Sequence, residues 1–210
     1  KRGCVTVEAE HFASMADCHL IGMRYTVTAD FHADIEIHTG IDGDVWDIHG
    51  PHYDEVVIRQ KDMCLVADAV THENREHVCV AERYRTQTPH EHKTKEEERR
   101  ALHRICVVTD INKPVVIEKM AAVYTTKDCS DPEMVSEKVV TDSMEAGYEE
   151  QLKRHTDCWE RLWDTSEVEI EGDAEAEKEL NYSIYHLLSI APYHAKSQSI
   201  PARGLSGQTY

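Results

Sequence analysis

The stretch ICVVTDINKPVVI, residues 105–117, decides how this chain folds. Two β-branched runs, Ile105-Cys106-Val107-Val108 and Val115-Val116-Ile117, flank an Asn112-Lys113-Pro114 breaker. Proline cannot donate to the ladder of a central strand, so the runs are two separate strands. They are the most apolar runs of the β-rich part and are expected centrally. Working outward, Val56-Val57-Ile58, Cys64-Leu65-Val66-Ala67 and Val78-Cys79-Val80-Ala81 are further β-rich runs between polar turns. Residues 23–28 and 35–38 continue the style. At the front, Val5, Val7 and Ala9 alternate with Thr6, Glu8 and Glu10, the period of a half-buried strand. Ala29-Asp30 begins a turn, and Gly40, Asp42, Gly43 and Asp44 read as a turn-rich loop around Val45-Trp46. The mixed-charge run 92–100 reads as a solvated loop or turn. Short strands at regular spacing over residues 3–128 predict an antiparallel β-sandwich.

The character changes near Ser130. Asp142 followed by Glu145 reads as a capping box, which predicts one long helix over residues 143–164. Met144, Tyr148, Leu152, Trp159, Leu162 and Trp163 fall mostly on one face of it, a stripe that aromatic side chains use for packing. Glu149–Lys153 and Glu150–Arg154 are i,i+4 pairs on its outside. Val168-Glu169-Ile170 is a short extended piece. Asp173 then caps a second helix, with Glu175 and Glu177 near its positive end. Leu180, Ile184, Leu187, Leu188 and Ala191 form its expected buried stripe, and Pro192 ends or kinks it. The residues alone thus give a mainly β fold with C-terminal helices. The last residues, IPARGLSGQTY, stop on Tyr210 without a breaker, a cap or a charged tail, so a chain cut in mid-course is expected. Lys1 in place of an initiator Met suggests the same for the front.

Composition narrows the function by exclusion. The 210 residues suffice for one sizeable domain, or one domain and part of another. A net charge of -17 argues against nucleic acid, which needs clustered Lys and Arg. No apolar run approaches the length of a membrane helix, and strand-like sequence rather than an apolar signal segment follows Lys1-Arg2-Gly3-Cys4. Seven scattered cysteines without CxxC spacing read as reduced thiols. The closest histidine pairs, His49 with His52 and His90 with His92, match neither HExxH nor zinc-finger spacing, so no metal is expected. There is no GxSxG, P-loop or GxGxxG. With 40 Asp and Glu, carboxylate pairs arise by chance and assign no acid or base.

Four segments carry a resemblance. HLLSIAPYH (186–194), SIPARGLSGQTY (199–210), TGIDGDVWDIHGPHY (39–53) and CWERLWDTSEVEIEGD (158–173) closely resemble glycoside hydrolase family 65, in the same order along the chain. That family joins a β-sandwich, a helical linker and an (α/α) barrel. The resemblance implies a partial N-terminal β-sandwich over residues 1–128, a linker with a long helix over 129–172, and the truncated start of the barrel over 173–210. It implies a fragment of an inverting disaccharide phosphorylase, most like the nigerose, kojibiose or maltose enzymes. Such an enzyme cleaves an α-glucosidic bond with inorganic phosphate, giving β-glucose 1-phosphate and a free sugar. A trehalase-type hydrolase of the same family, or a non-catalytic carbohydrate-associated sandwich module, remains the alternative.

By the same resemblance the whole enzyme is cytoplasmic, a homodimer, and free of metal and organic cofactors, with phosphate as co-substrate. Its general acid and phosphate cradle lie downstream of Tyr210, so no catalytic residue is assigned. The substrate-proximal candidates are Arg203, Gly204, Leu205, Gln208 and Tyr210. Gly204 and Gly207 let backbone approach a ligand, Arg203 and Gln208 supply donors, and Tyr210 an apolar face with a hydroxyl. A purely structural barrel loop is the competing reading of these residues. Trp46 can stack on a sugar ring, or plug the sandwich edge or an interdomain contact.

Overall fold

The Asn112-Lys113-Pro114 breaker carries the chain from one sheet of a sandwich to the other. The computed structural model describes residues 3–47, 50–193 and 199–200. Its strands are β1 (Val5–Ala13), β2 (Leu20–Ala29), β3 (Ala33–Asp42), β4 (Trp46–Asp47), β5 (Gly50–Pro51), β6 (Tyr53–Lys61), β7 (Cys64–Thr71), β8 (His77–Thr86), β9 (Glu91–Glu97), β10 (Arg100–Thr109) and β11 (Val115–Thr125). The helices α1 (Pro132–Ala146), α2 (Tyr148–Trp163) and α3 (Ala174–Ile190) follow. A six-stranded antiparallel sheet runs β1-β2-β11-β8-β7-β6, and a three-stranded one runs β3-β10-β9. Strands β4 and β5 form a small hairpin of their own. The two runs that open the sequence analysis, in β10 and β11, are each central as expected, but in different sheets.

Side-chain alternation gives the large sheet two buried faces. Even-numbered residues of β11 and β2 face the helices. Leu20, Met120 and Ala122 pack there with Phe12, Cys64, Val66, Ala81, and Val140, Met144 and Tyr148 from the helices. Residues of the opposite parity face the small sheet. Tyr84, Val115 and Ile117 meet Ile105 and Val107, while Leu65 and Ala67 meet Ile41 and Ala101. Both faces of β7 and β8 are therefore covered. Strand β1 differs from its expected half-burial: of its residues only Phe12 is buried, and Val5 and Val7 stay 46% and 57% exposed. Its period-2 pattern is real, but the small sheet packs over β7, β8 and β11 and leaves that apolar row without a cover among the described residues.

Two stretches read as loops are strands. Gly40 lies inside β3 opposite Leu102, so close to β10 that a Cβ there would stand 2.0 Å from the Ala101 carbonyl oxygen. The charged run forms most of β9, with His92 and Thr94 turned inward and Glu91, Lys93 and Lys95 outward.

The helical part also departs from expectation. A single helix over 143–164 is replaced by two, and the first starts at Pro132. Asp131 is its cap, accepting from the Met134 N–H at 3.0 Å, with Pro132 in the first turn where its missing N–H costs nothing. Asp142 instead pairs with Lys138 one turn earlier. Gly147 then breaks the helix with φ 93° and ψ 159°, a conformation open to almost no residue but glycine. Arg85 closes the junction by donating from Nη1 to the Met144 carbonyl at 3.1 Å. Beyond the break the aromatic stripe packs as expected at its start. Tyr148 is fully buried, edge-on to Phe12 and beneath the Arg24 guanidinium. Of the two surface pairs, Glu150–Arg154 forms at 2.8 Å. Lys153 pairs with Asp157 instead, and Glu149 reaches Arg24.

Helix α3 starts where expected, with the Asp173 side chain accepting from Ala176 N–H at 3.0 Å, and ends at Ile190 before Pro192. Its expected buried stripe is not buried: α3 has no buried residue, and Leu180 and Leu187 are 40% and 60% exposed. Asn181 binds both backbone groups of Val168, which holds the extended 168–170 segment alongside.

Replacing Gly147 by Ala should destabilise the protein by about 1–3 kcal/mol, because a Cβ there forces a strained backbone and crowds the Arg85 guanidinium. Urea unfolding followed by circular dichroism reads this directly. An unchanged midpoint would mean that the α1–α2 junction relaxes freely.

Candidate functional site

Reactive and recognition chemistry in the described residues concentrates in three places. The first is between the sheets. Glu82 on β8 is fully buried, as is His103 on β10. Lys119 Nζ from β11 stands 2.7 Å from Glu82 Oε2, and His103 Nε2 3.3 Å from Oε1. These are charge contacts rather than well-aligned hydrogen bonds. Lys119 also donates to Thr39 Oγ1 and the Gly40 carbonyl of β3, each at 3.1 Å. On its other side His103 Nδ1 lies 2.9 Å from His92 Nε2. Burial raises the Glu82 pKa, but His103 and Lys119 outweigh it and hold the carboxyl below its usual range. Burial and the neighbouring Glu82 push the Tyr84 phenol up to about 12. His92 is held below the ordinary imidazole value by burial and by the nearby His103 and His90.

The second place is the junction with α2. Glu118 accepts from Arg24 Nη2 at 2.7 Å and from Arg85 Nε at 2.8 Å. Tyr148 donates its hydroxyl hydrogen to Glu10 at 2.9 Å. Beside it, between the β8–β9 and β10–β11 turns, opens a groove of about 910 Å³ that includes Arg85, His90, Lys113 and Glu118. The third is the β4–β5 hairpin. Trp46 is 63% exposed there, its indole N–H donated to Asp44 Oδ1 at 2.7 Å. An exposed indole does not plug the sandwich edge, which leaves the stacking and interdomain readings.

Acid–base chemistry on a glycosidic bond needs a carboxyl kept protonated near neutral pH, hence a raised pKa. The described carboxylates with a resolved shift, Glu36, Asp42, Asp54, Glu82, Glu97 and Glu118, all move down, each beside Arg, Lys or His. Their chemistry is that of ion pairs, not of a general acid. Arg203, Gly204, Leu205, Gln208 and Tyr210 lie outside the described residues, as do Gly207 and His49. His90 and His92 are brought near His103 and Tyr84, and no group of three or more metal-ligating side chains forms among the described residues. The Glu82–His103–Lys119 group escaped sequence reading because its members are far apart in the chain. An inward-facing Glu in the run VCVAERY was the one available signal.

Fold and site together define an antiparallel sandwich domain with a helical extension, in which Glu82 and Glu118 are committed to ion pairs. The family model for the N-terminal domain of glycosyl hydrolase family 65 matches residues 1–162, and the chain belongs to that family. A nigerose phosphorylase from Lachnoclostridium phytofermentans is 40% identical over all of this chain, which spans 31% of that protein. A 1,2-alpha-glucosylglycerol phosphorylase from Bacillus selenitireducens is 29% identical over 98% of the chain and 27% of its own length. A solved structure of a human-microbiome protein described as a kojibiose phosphorylase candidate superposes with a TM-score of 0.78 at 11% identity. It covers 90% of this chain and 25% of that one, and supports the fold. The chain thus spans less than a third of the relatives it matches.

Removing the Glu82 carboxylate should be severe. Glu82→Ala leaves Lys119 and His103 facing a buried void and should cost about 3–5 kcal/mol in urea unfolding. Glu36→Ala, on an exposed pair, should leave the midpoint almost unmoved. Equal effects of the two would remove the network from the core's energetics.

Proposed function

We propose that this chain is the front part of an inverting disaccharide phosphorylase. The observation that carries the reading is the 40% identity to a nigerose phosphorylase over the full chain, which accounts for 31% of that protein. In the proposed reaction a phosphate oxygen attacks the anomeric carbon from the face opposite the glycosidic oxygen. The C1–O bond breaks, and a general acid delivers its proton to the leaving sugar. The products are β-glucose 1-phosphate and the released sugar. Phosphate is co-substrate, and no metal or organic cofactor takes part. Glu36, Asp42, Asp54, Glu82, Glu97 and Glu118 are all held down by neighbouring cations and unsuited to the acid's role, and we place that residue downstream of Tyr210 as the resemblance implies.

Within this reading residues 1–128 are sandwich, 129–172 linker and 173–210 the first helix and loop of a helical barrel. The exposed apolar stripe of α3, with Leu180, Tyr182, Tyr185 and Leu187, suits a helix that packs against further helices. Arg203, Gly204, Leu205, Gln208 and Tyr210 would then lie at the sugar. On the family resemblance we place the whole enzyme in the cytoplasm as a homodimer; no helix among the described residues is long and apolar enough to cross a membrane.

The test is phosphorolysis. A longer gene product containing this chain should release β-glucose 1-phosphate from an α-linked glucobiose and phosphate, followed by ³¹P and ¹H NMR of the anomeric product. The 210 residues alone should release none. Sustained turnover by the 210-residue chain, or release of glucose without phosphate consumption by the longer product, would overturn the proposal.

A further inference from the structure

The contact between His92 and His103 has an unusual proton requirement. Nε2 of one ring and Nδ1 of the other stand 2.9 Å apart, and a contact of that length holds one hydrogen. With Glu82 facing His103 Nε2, that nitrogen carries a hydrogen. In neutral His103 the Nδ1 lone pair therefore accepts from His92. In charged His103 the Nδ1–H donates and His92 accepts. Both states keep the contact; protonating both rings places two N–H groups nose to nose and destroys it.

The position of the contact gives this chemistry a mechanical consequence. His92 sits on β9, the edge strand of the small sheet, and among the described residues only β10 pairs with it. Its outward row, Glu91, Lys93 and Lys95, is exposed, so beyond the ladder with β10 it is the inward row of His92 and Thr94 that reaches the core. Thr94 Oγ1 lies 3.4 Å from the same His103 Nδ1, so both inward side chains converge on one ring. The groups facing this pair are Glu82 and Tyr84 from β8, His90 from the turn just before β9, and Lys119 from β11. Strand β3 contributes the uncharged Thr39 hydroxyl and Gly40 carbonyl, both bound to Lys119. Glu82 is the single anion among them and is already shared between Lys119 and His103. A second imidazolium would enter a site whose negative charge is spent.

We propose that the His92–His103 contact is an acid-sensitive latch that holds β9 on the sandwich and releases it when both rings are protonated. The sign follows from the ring's environment. His92 is held below its ordinary value in the closed state, so opening takes up a proton. The latch is fully effective above about 6.5, the ordinary imidazole value, and weakens as pH falls below it. Release bares the backbone groups of β10 and one wall of the groove that His90 lines.

Hydrogen exchange at the β9 amides tests this, after correction for the pH dependence of intrinsic exchange. Between pH 6.5 and 5 the opening constant of β9 should rise by up to about tenfold per pH unit, while β1–β2 amides show no such slope. His92→Gln keeps an N–H donor toward His103 and cannot titrate, so its β9 slope should flatten. A wild-type β9 slope no steeper than that of β2, or a His92→Gln slope equal to wild type, overturns the latch. Should that variant fail to fold, ¹⁵N NMR of the wild-type imidazoles decides. Two coupled titrations with one ring shifted acid-ward support the latch, and two independent titrations near 6.5 sink it.

Discussion

A carboxylate buried between two sheets constrains everything around it. Glu82 needs positive charge within reach, and the sandwich supplies it from both layers: Lys119 beside it in the large sheet and His103 across from it in the small one. A one-residue slip of β8 would turn Glu82 toward Cys64, Val66 and Met120, where the surroundings are apolar. The charge therefore penalises the wrong register by several kcal/mol, whereas hydrophobic side chains at the same place would tolerate it. The two apolar clusters on either side, one around Ile105 and one around Leu65, are joined through this polar centre.

The other face of the large sheet follows a different logic. There the helices attach through burial first and charge second. Val140, Met144 and Tyr148 are set into the sheet, and the Arg24–Glu118–Arg85 cluster fixes the turn at Gly147 around them. Attachment fades along the chain. Helix α1 lies along β8 and β11, α2 keeps only its first turns buried, and α3 buries no residue. The gradient in burial runs from the sandwich toward the segment whose resemblance points to a catalytic barrel.

Much of the fold was legible because period-2 patterning survives wherever one face is buried. Alternation marked β1 and β2, whereas β3, β6, β7, β8, β10 and β11 were read as short apolar, β-branched runs between polar turns. Strand β9 was hidden, because Glu91, Lys93 and Lys95 made its charge conspicuous and its inward row uses His92 and Thr94 rather than Val or Ile. Gly40 misled because glycine usually marks a turn, whereas here it admits the Ala101 carbonyl. The start of α1 was visible in Asp131-Pro132, a cap followed by a first-turn proline, but the Asp142–Glu145 spacing imitated a cap in mid-helix. The burial of α3 was misjudged for another reason. Its stripe is truly apolar, and sequence periodicity reports that a face wants covering, not what covers it.

The substrate-proximal candidates rest on resemblance alone, and the electrostatics explain why the sequence pattern could single out no acid. A general acid is a carboxyl whose environment keeps its proton, so it stands apart from its neighbours by lacking a cation. In this chain Arg24 and Arg85 take Glu118, Lys119 and His103 take Glu82, and His72 and Arg75 take Asp54. Sequence composition cannot separate a paired carboxylate from an unpaired one, since both are simply Asp or Glu. The three-dimensional pairing can. It assigns these carboxylates to holding the sandwich and its helical extension together.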